Sequence, residues 1–157
     1  MNTRECVAES LRIEGIKRAP TDAEVRAHEA LVTAPMVLQT DLLAFVAVYE
    51  PRALLRDVAG RAVHEGSYAP PASGPQVPRL LDQVLQDART SPHDAWAVHV
   101  RYERLHPFTD CNGRSGRALW YWCMEHSAHR DRGLASLGFL HAFYYQTLRH
   151  TPKEVPL

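Results

Sequence analysis

Apolar side chains spaced three and four residues apart are the feature that most limits the fold of this 157-residue chain. Such spacing places side chains on one face of an α-helix. The stretch 42–49 follows it closely, and Pro51 ends the pattern. Similar stripes predict helices over residues 4–17, 80–88, 96–103 and 137–148, and one that begins at the capping residue Thr21 or Asp22 and runs to about Val32.

Length, charge and cysteine content narrow the class of protein. The length fits one domain, and 18 basic residues balance 18 acidic ones. A chain without excess positive charge is not expected to bind nucleic acid or an anionic membrane in general. The three cysteines form no paired motif, no apolar signal sequence follows Met1, and the longest apolar stretch is too short to cross a bilayer. These features predict a cytoplasmic protein.

The region 58–70 breaks the helical pattern. Its apolar and polar residues are mixed and alternate only weakly, Glu65-Gly66-Ser67 indicates a turn, and prolines follow from Pro70 onward. We predict a small β-hairpin and a loop here. Because a two-stranded hairpin alone is barely stable, it should lean on the helices, as a movable flap would.

The segment from His106 to Arg117 joins two predicted helices. Pro107 disfavours helical backbone at His106, so the first helix should end near Leu105. Asn112 is a good N-cap and Gly113 is permissive, so a second helix can begin at this point. The loop between them therefore lies at a helix N-terminus, where free N–H groups and the helix dipole favour an anion.

Four charged or titratable side chains of this segment suit phosphate chemistry. Arg114 and Arg117 lie three residues apart on the second helix, and two guanidinium groups suit a polyphosphate. Asp110 offers the oxygen ligand that Mg²⁺ prefers, and His106 can accept a proton near neutral pH. Each residue alone is more often structural or solvated. Their occurrence within a dozen residues favours a functional site.

The segment 106–117 resembles the Fic family signature H-x-F-x-[DE]-G-N-G-R-x-x-R, with Cys111 in place of the first glycine. The resemblance extends over roughly residues 7–150. It implies an all-α Fic fold with a β-hairpin flap, as a single domain over residues 1–157. Further similar features are the flap sequence Tyr68–Pro71 with the helix that follows from Val77, the helix residue His99, and the late tyrosine pair Tyr144 and Tyr145.

What the resemblance implies is a protein adenylyltransferase, which moves AMP from ATP to a Ser, Thr or Tyr hydroxyl of a target protein. In this assignment His106 deprotonates the hydroxyl and Asp110 holds Mg²⁺ on the phosphates. The remaining motif residues bind the nucleotide: Asn112 and Gly113 shape the anion hole, and Arg114 and Arg117 hold the outer phosphates.

Two other regions receive roles from the same resemblance. The flap around Val63, His64 and Tyr68 would bind the target segment by strand-like pairing. Tyr144 and Tyr145 would line the pocket for the nucleotide base.

Residues 10–15 resemble the inhibitory motif of the family, [ST]-x-x-x-E-[GN], within an inhibitory helix at 1–18. Ser10 and Glu14 are four residues apart and share a helix face. The resemblance implies that Glu14 pairs with Arg117 and removes that arginine from the γ-phosphate. A surface glutamate at a helix end is the alternative. An oligomer that holds this helix in place is compatible with the sequence.

Cys111 is the one departure from the signature. Relatives tolerate alanine there, and the retained Gly113 favours nucleotidyl transfer over phosphorylation. A thiol at a helix N-terminus beside two arginines also suggests a stabilised thiolate and a redox switch, but a neutral glycine-to-cysteine substitution is the favoured alternative. Two alternatives stay open. The first is an enzyme on the same scaffold that transfers a group from another donor, such as phosphocholine, or that removes AMP from a modified protein. The second is a nucleotide-binding module without catalysis.

Overall fold

The computed structural model describes residues 2–63 and 68–127 of the chain. These residues confirm the all-α fold, and no regular strand occurs among them. A short 3₁₀ turn at Pro92–Asp94 precedes the fifth helix. The six α-helices are α1 (Thr3–Ile13), α2 (Asp22–Thr33), α3 (Gln39–Tyr49), α4 (Gln76–Thr90), α5 (Ala95–Leu105) and α6 (Asn112–Glu125).

The start of α2 agrees with the predicted capping signal. The side chain of Thr21 accepts a hydrogen bond from the backbone N–H of Glu24, and the Glu24 carboxylate accepts one from the N–H of Thr21. This reciprocal pair satisfies two N–H groups that lack partners within the helix. Helix α2 therefore begins at Asp22, and Thr21 is the one of the two predicted capping residues that the helix uses.

Helix α1 ends at Ile13 and is shorter than the predicted stretch 4–17. Gly15 follows with a φ of +73°, the left-handed conformation that glycine adopts most easily. The N–H of Gly15 bonds to the carbonyl of Arg12, and the N–H of Ile16 bonds to that of Leu11. This is a Schellman motif, and it fixes the residue before Gly15 at the helix end.

Helix α6 is the central element of the fold. Every residue from Arg114 to Met124 is buried, and the helix packs against all five others. A helix buried on all sides needs small or satisfied groups where neighbours come close. At Gly116 an added Cβ would lie 2.8 Å from Cδ1 of Tyr102, so α5 and α6 approach closely there. The hydroxyl groups of Tyr102 and Ser115 lie 2.7 Å apart in the same interface.

Two predicted elements fall wholly or partly outside the described residues. Residues 58–63 and 68–70 form no regular strand, and the predicted turn at 64–67 lies outside the described part, so the hairpin stays a prediction. The predicted late helix at 137–148 also lies outside it. Among residues 2–63 and 68–127, none of the helices combines the length and apolar character needed to span a bilayer.

Candidate active site

The loop between α5 and α6 begins at His106. Helix α5 ends at Leu105, as Pro107 predicts, and His106 adopts a left-handed backbone conformation with φ 50° and ψ 62°. Its N–H still bonds to the carbonyl of Tyr102, at 2.9 Å. The left-handed residue turns the chain out of the helix axis, and this geometry begins the loop.

Two hydrogen bonds from one side chain close the loop. The Asn112 amide oxygen accepts from the N–H of Phe108 at 2.9 Å, and its nitrogen donates to the carbonyl of Phe108 at 2.8 Å. Phe108 itself is fully buried. The expectation that Asn112 is an N-cap is wrong. Cys111 is the N-cap, with φ 68°, and Asn112 is the first helical residue. The amide of Asn112 does not cap the helix because it bonds to the backbone of Phe108 across the loop.

The imidazole of His106 lies half-buried at this bend. Its Nδ1 is 3.2 Å from the carbonyl oxygen of Glu103. A carbonyl can only accept, so this contact favours the tautomer with the proton on Nδ1. In that tautomer Nε2 carries the lone pair, which is the state that a general base requires.

Arg117 bonds to the end of α1. Its Nε donates to Oγ of Ser10 at 2.9 Å, and its Nη2 donates to the Ser10 carbonyl at 3.0 Å. The same Nη2 lies 2.5 Å from Oε1 of Glu14. The guanidinium is buried, whereas the Glu14 side chain is 27% exposed. The structure thus brings Ser10, Glu14 and Arg117 together across more than 100 residues of chain.

Arg114 bonds to a different set of partners. Its Nη1 lies 2.9 Å from Oε1 of Glu50, at the end of α3, and its Nη2 lies 3.3 Å from Oδ1 of Asp110. The guanidinium carbon stands 5.9 Å from the ring centre of Tyr49. Although they lie on the same helix, the two motif arginines therefore bond to carboxylates from different parts of the chain.

Asp110 has the properties of a single-carboxylate magnesium ligand. Its side chain is 61% exposed at the N-terminus of α6, and Oδ1 also accepts from the N–H of Cys111. Residues 2–63 and 68–127 contain no group of three metal-binding side chains. Mg²⁺ keeps several waters and is commonly held by one or two carboxylates together with substrate phosphates. The donor set present at Asp110 fits that arrangement.

The structure opposes the thiolate suggested for Cys111 and agrees with the neutral alternative. The residue is buried, and burial raises the pKa of its thiol to about 12, although Arg114 acts in the opposite direction. Desolvation penalises the charged form more than the nearby guanidinium favours it. A neutral, buried thiol does not support the redox switch suggested by the sequence.

Other predicted site residues are only partly described. Val63 is half-buried, and Tyr68 is exposed with its hydroxyl donating to the carbonyl of Arg104 at 2.9 Å. His64, Tyr144 and Tyr145 lie outside the described residues. Their roles in target and base binding stay predictions.

Arg56 is a site residue that the sequence reasoning missed. It lies between α3 and α4 and is only 1% exposed, and its guanidinium donates to the carbonyls of Leu105 and His106. Burial lowers its pKa. A lone arginine in an irregular segment carries no sequence signal of this role, because its partners are backbone atoms about 50 residues away.

Comparison with known proteins supports the resemblance found in the sequence. The family model described as Fic/DOC family matches residues 32–124, which is more than half of the chain. Neither the curated proteins nor the solved structures gave a match. The matched range includes the loop, the start of α6 and Arg56. The chain therefore belongs to the Fic/DOC family.

Proposed function

We propose that this Fic-type protein is a cytoplasmic adenylyltransferase, which transfers AMP from ATP to a Ser, Thr or Tyr hydroxyl of a target protein and is held inactive by Glu14. The family supports a transferase of this type in general. The loop geometry supports the finer proposal, because a base, an exposed carboxylate and a helix N-terminus lie within residues 106–117.

The proposed step is a substitution at the α-phosphate. The target hydroxyl oxygen forms a bond to the α-phosphorus, the bond to the bridging oxygen of the β-phosphate breaks, and pyrophosphate leaves. The hydroxyl proton passes to Nε2 of His106. Asp110 would hold Mg²⁺, which supplies charge neutralisation on the phosphates. The N–H groups at the start of α6 would bind the phosphate oxygens.

The observation that carries the proposal is the position of the Glu14 carboxylate. It lies against Gly113 in the first turn of α6 and bonds to Arg117. An anionic group already occupies the place where the helix dipole and the guanidinium favour negative charge. We infer that a phosphate of ATP competes with Glu14 for this place, and that Glu14 wins in the resting protein.

The test is transfer from ATP labelled at the α-phosphate, with cell lysate as the source of targets. Glu14→Gly and Glu14→Gln should both raise labelling at least about 10-fold, because each removes a charge-assisted interaction of about 1.5–3 kcal/mol with Arg117. Adding His106→Ala to either should abolish labelling. Glu29→Gln, on the exposed face of α2, is the matched control and should behave as wild type.

Mass spectrometry of the modified protein separates the alternatives. An added AMP supports the proposal. An added phosphocholine would assign another donor, and loss of AMP from a modified protein would assign the reverse reaction. ATP binding without any modification by Glu14→Gly would leave a nucleotide-binding module and overturn the proposed activity.

A further inference from the structure

Arg56 is almost fully buried, yet it lies outside the family signature segment 106–117 and outside α1. We infer that Arg56 is a positioning residue for His106: it holds the backbone that carries the imidazole and ties it to the segment that follows the flap. The inference rests on the proposed function, in which His106 is the base.

Three consecutive carbonyl groups of the catalytic loop accept hydrogen bonds from this one residue. The backbone N–H of Arg56 donates to Pro107 at 2.9 Å. Its Nε donates to the carbonyl of His106 at 2.6 Å, and its Nη2 donates to that of Leu105 at 2.8 Å. Such a fork of donors matches Arg and no other side chain. The carbonyls on both sides of the His106 α-carbon are therefore fixed.

The end of α5 requires such a partner. The last carbonyls of a helix receive no hydrogen bond from an N–H of the same helix, and the helix dipole places negative charge at this end. His106 also has a left-handed backbone, which a residue with a side chain adopts only when its surroundings hold it. A buried guanidinium satisfies both needs, because it bonds to the carbonyl oxygens at this helix end and carries positive charge.

The hydrogen bonds of the Arg56 guanidinium distinguish it from the motif arginines. Within residues 2–63 and 68–127 they go to backbone carbonyls, whereas Arg114 and Arg117 each bond to carboxylates. The guanidinium of Arg56 thus holds main chain, which is a different role from the one proposed for the two motif arginines.

The remaining hydrogen-bond donor of Arg56, Nη1, connects the catalytic loop to the segment that follows the predicted flap. Nη1 of Arg56 donates to the carbonyl of Pro71 at 2.9 Å, and the N–H of Gly74 donates to the carbonyl of Arg56 at 2.9 Å. Pro71 directly follows the predicted flap 58–70. The same side chain therefore fixes the distance between the base and Pro71, the residue that follows the predicted target-binding segment. A shift of about 1 Å in such a distance costs about 100-fold in rate.

The test compares Arg56→Met and Arg56→Lys in the Glu14→Gly background. We expect Arg56→Met to lower kcat at saturating Mg-ATP about 100-fold, with the Kd for ATP unchanged within about threefold, because the start of α6 is not touched. Arg56→Lys should recover part of kcat, since it keeps the charge and one donor. Arg89→Met is the matched control: Arg89, near the end of α4, donates to the carbonyl of Val37 before α3, and its loss should leave kcat unchanged.

A second readout is independent of transfer. The NMR signals of the His106 imidazole, recorded without nucleotide, should shift or broaden in Arg56→Met and in Arg56→Lys, but not in Arg89→Met. An unchanged His106 signal together with an unchanged kcat overturns the inference, and so does a kcat loss matched by an equal loss of ATP affinity.

If Arg56→Met does not fold, Arg56→Lys decides by the same two readouts. If Glu14→Gly transfers nothing, the proposed function fails, while the imidazole signals still decide whether Arg56 positions His106.

Discussion

A Cβ atom added to Gly113 would lie 2.3 Å from Oε1 of Glu14. The carboxylate at the end of α1 thus packs directly on the first turn of α6, against a residue that has no side chain. The same added atom would lie 3.0 Å from Nη1 of Arg117. Glycine at this position is what allows the carboxylate and the helix N-terminus to approach so closely.

This contact predicts that Gly113→Ala changes the free energy of unfolding in opposite directions with and without Glu14. In the wild-type protein the new methyl group should displace Glu14 and destabilise the fold by roughly 1–2 kcal/mol. In the Glu14→Gly background the main obstacle is gone, the Arg117 guanidinium has to move by only a few tenths of an ångström, and alanine should stabilise the helix by up to about 1 kcal/mol. Urea denaturation of the four proteins measures the coupling.

The same cycle with Glu29→Gln in place of Glu14→Gly is the control and should show additive effects. Equal costs of Gly113→Ala in both backgrounds would mean that Glu14 does not occupy this place in solution. Transfer activity gives a further check, because the methyl group should fill the space of the phosphate and abolish transfer even when Glu14 is removed.

Asn112 should be required for the shape of the loop. Asn112→Ala removes both hydrogen bonds to Phe108 and leaves a buried N–H and carbonyl without partners, which should cost about 2–4 kcal/mol of unfolding free energy. Asn112→Asp keeps the acceptor for the Phe108 N–H and should cost less. Chemical denaturation measures both variants. Equal losses would show that the bond accepted from the Phe108 N–H contributes nothing to stability.

Two buried histidines predict a loss of stability in mild acid. Burial lowers the pKa of His28 to about 4 and that of His99 to about 3, from an ordinary value of 6.5. The unfolded chain therefore binds these protons first, so stability is full above pH 6.5 and falls as the pH drops below it. Each histidine should cost roughly 1–2 kcal/mol by pH 5.

Unfolding free energies at pH 7 and pH 5 check this prediction. His28→Gln should reduce the difference between the two values, even if it lowers stability at pH 7. His126→Gln, at the exposed end of α6, is the matched control and should keep the wild-type difference. A difference unaffected by His28→Gln would show that His28 is not kept neutral by the fold.

The cysteines should be unreactive in the folded protein. Cys6, Cys111 and Cys123 are all free and buried, and burial raises the pKa of each. We expect Ellman's reagent to label them only as fast as the protein opens, with full labelling in urea. Cys111→Ser should keep transfer activity in the Glu14→Gly background. Rapid labelling of Cys111 in native buffer would contradict its burial.

The sequence alone determined the helices and the ends that depend on local chemistry. The apolar stripe at 42–49 predicted α3, the capping signal at Thr21 or Asp22 predicted the start of α2, and Pro107 predicted the end of α5 at Leu105. These signals act within a few residues, so they can be read from the chain. The signature at 106–117 likewise placed His106 and Asp110 on one loop.

Tertiary structure decided how distant groups meet. Asn112 bonds across its loop and Cys111 takes the cap position, because the buried Phe108 backbone needs partners. Burial, which no local pattern reports, keeps the Cys111 thiol neutral. Arg56 finds its acceptors about 50 residues away. Only folding brings such groups into a shared low-dielectric interior, where hydrogen bonds and desolvation outweigh local preference.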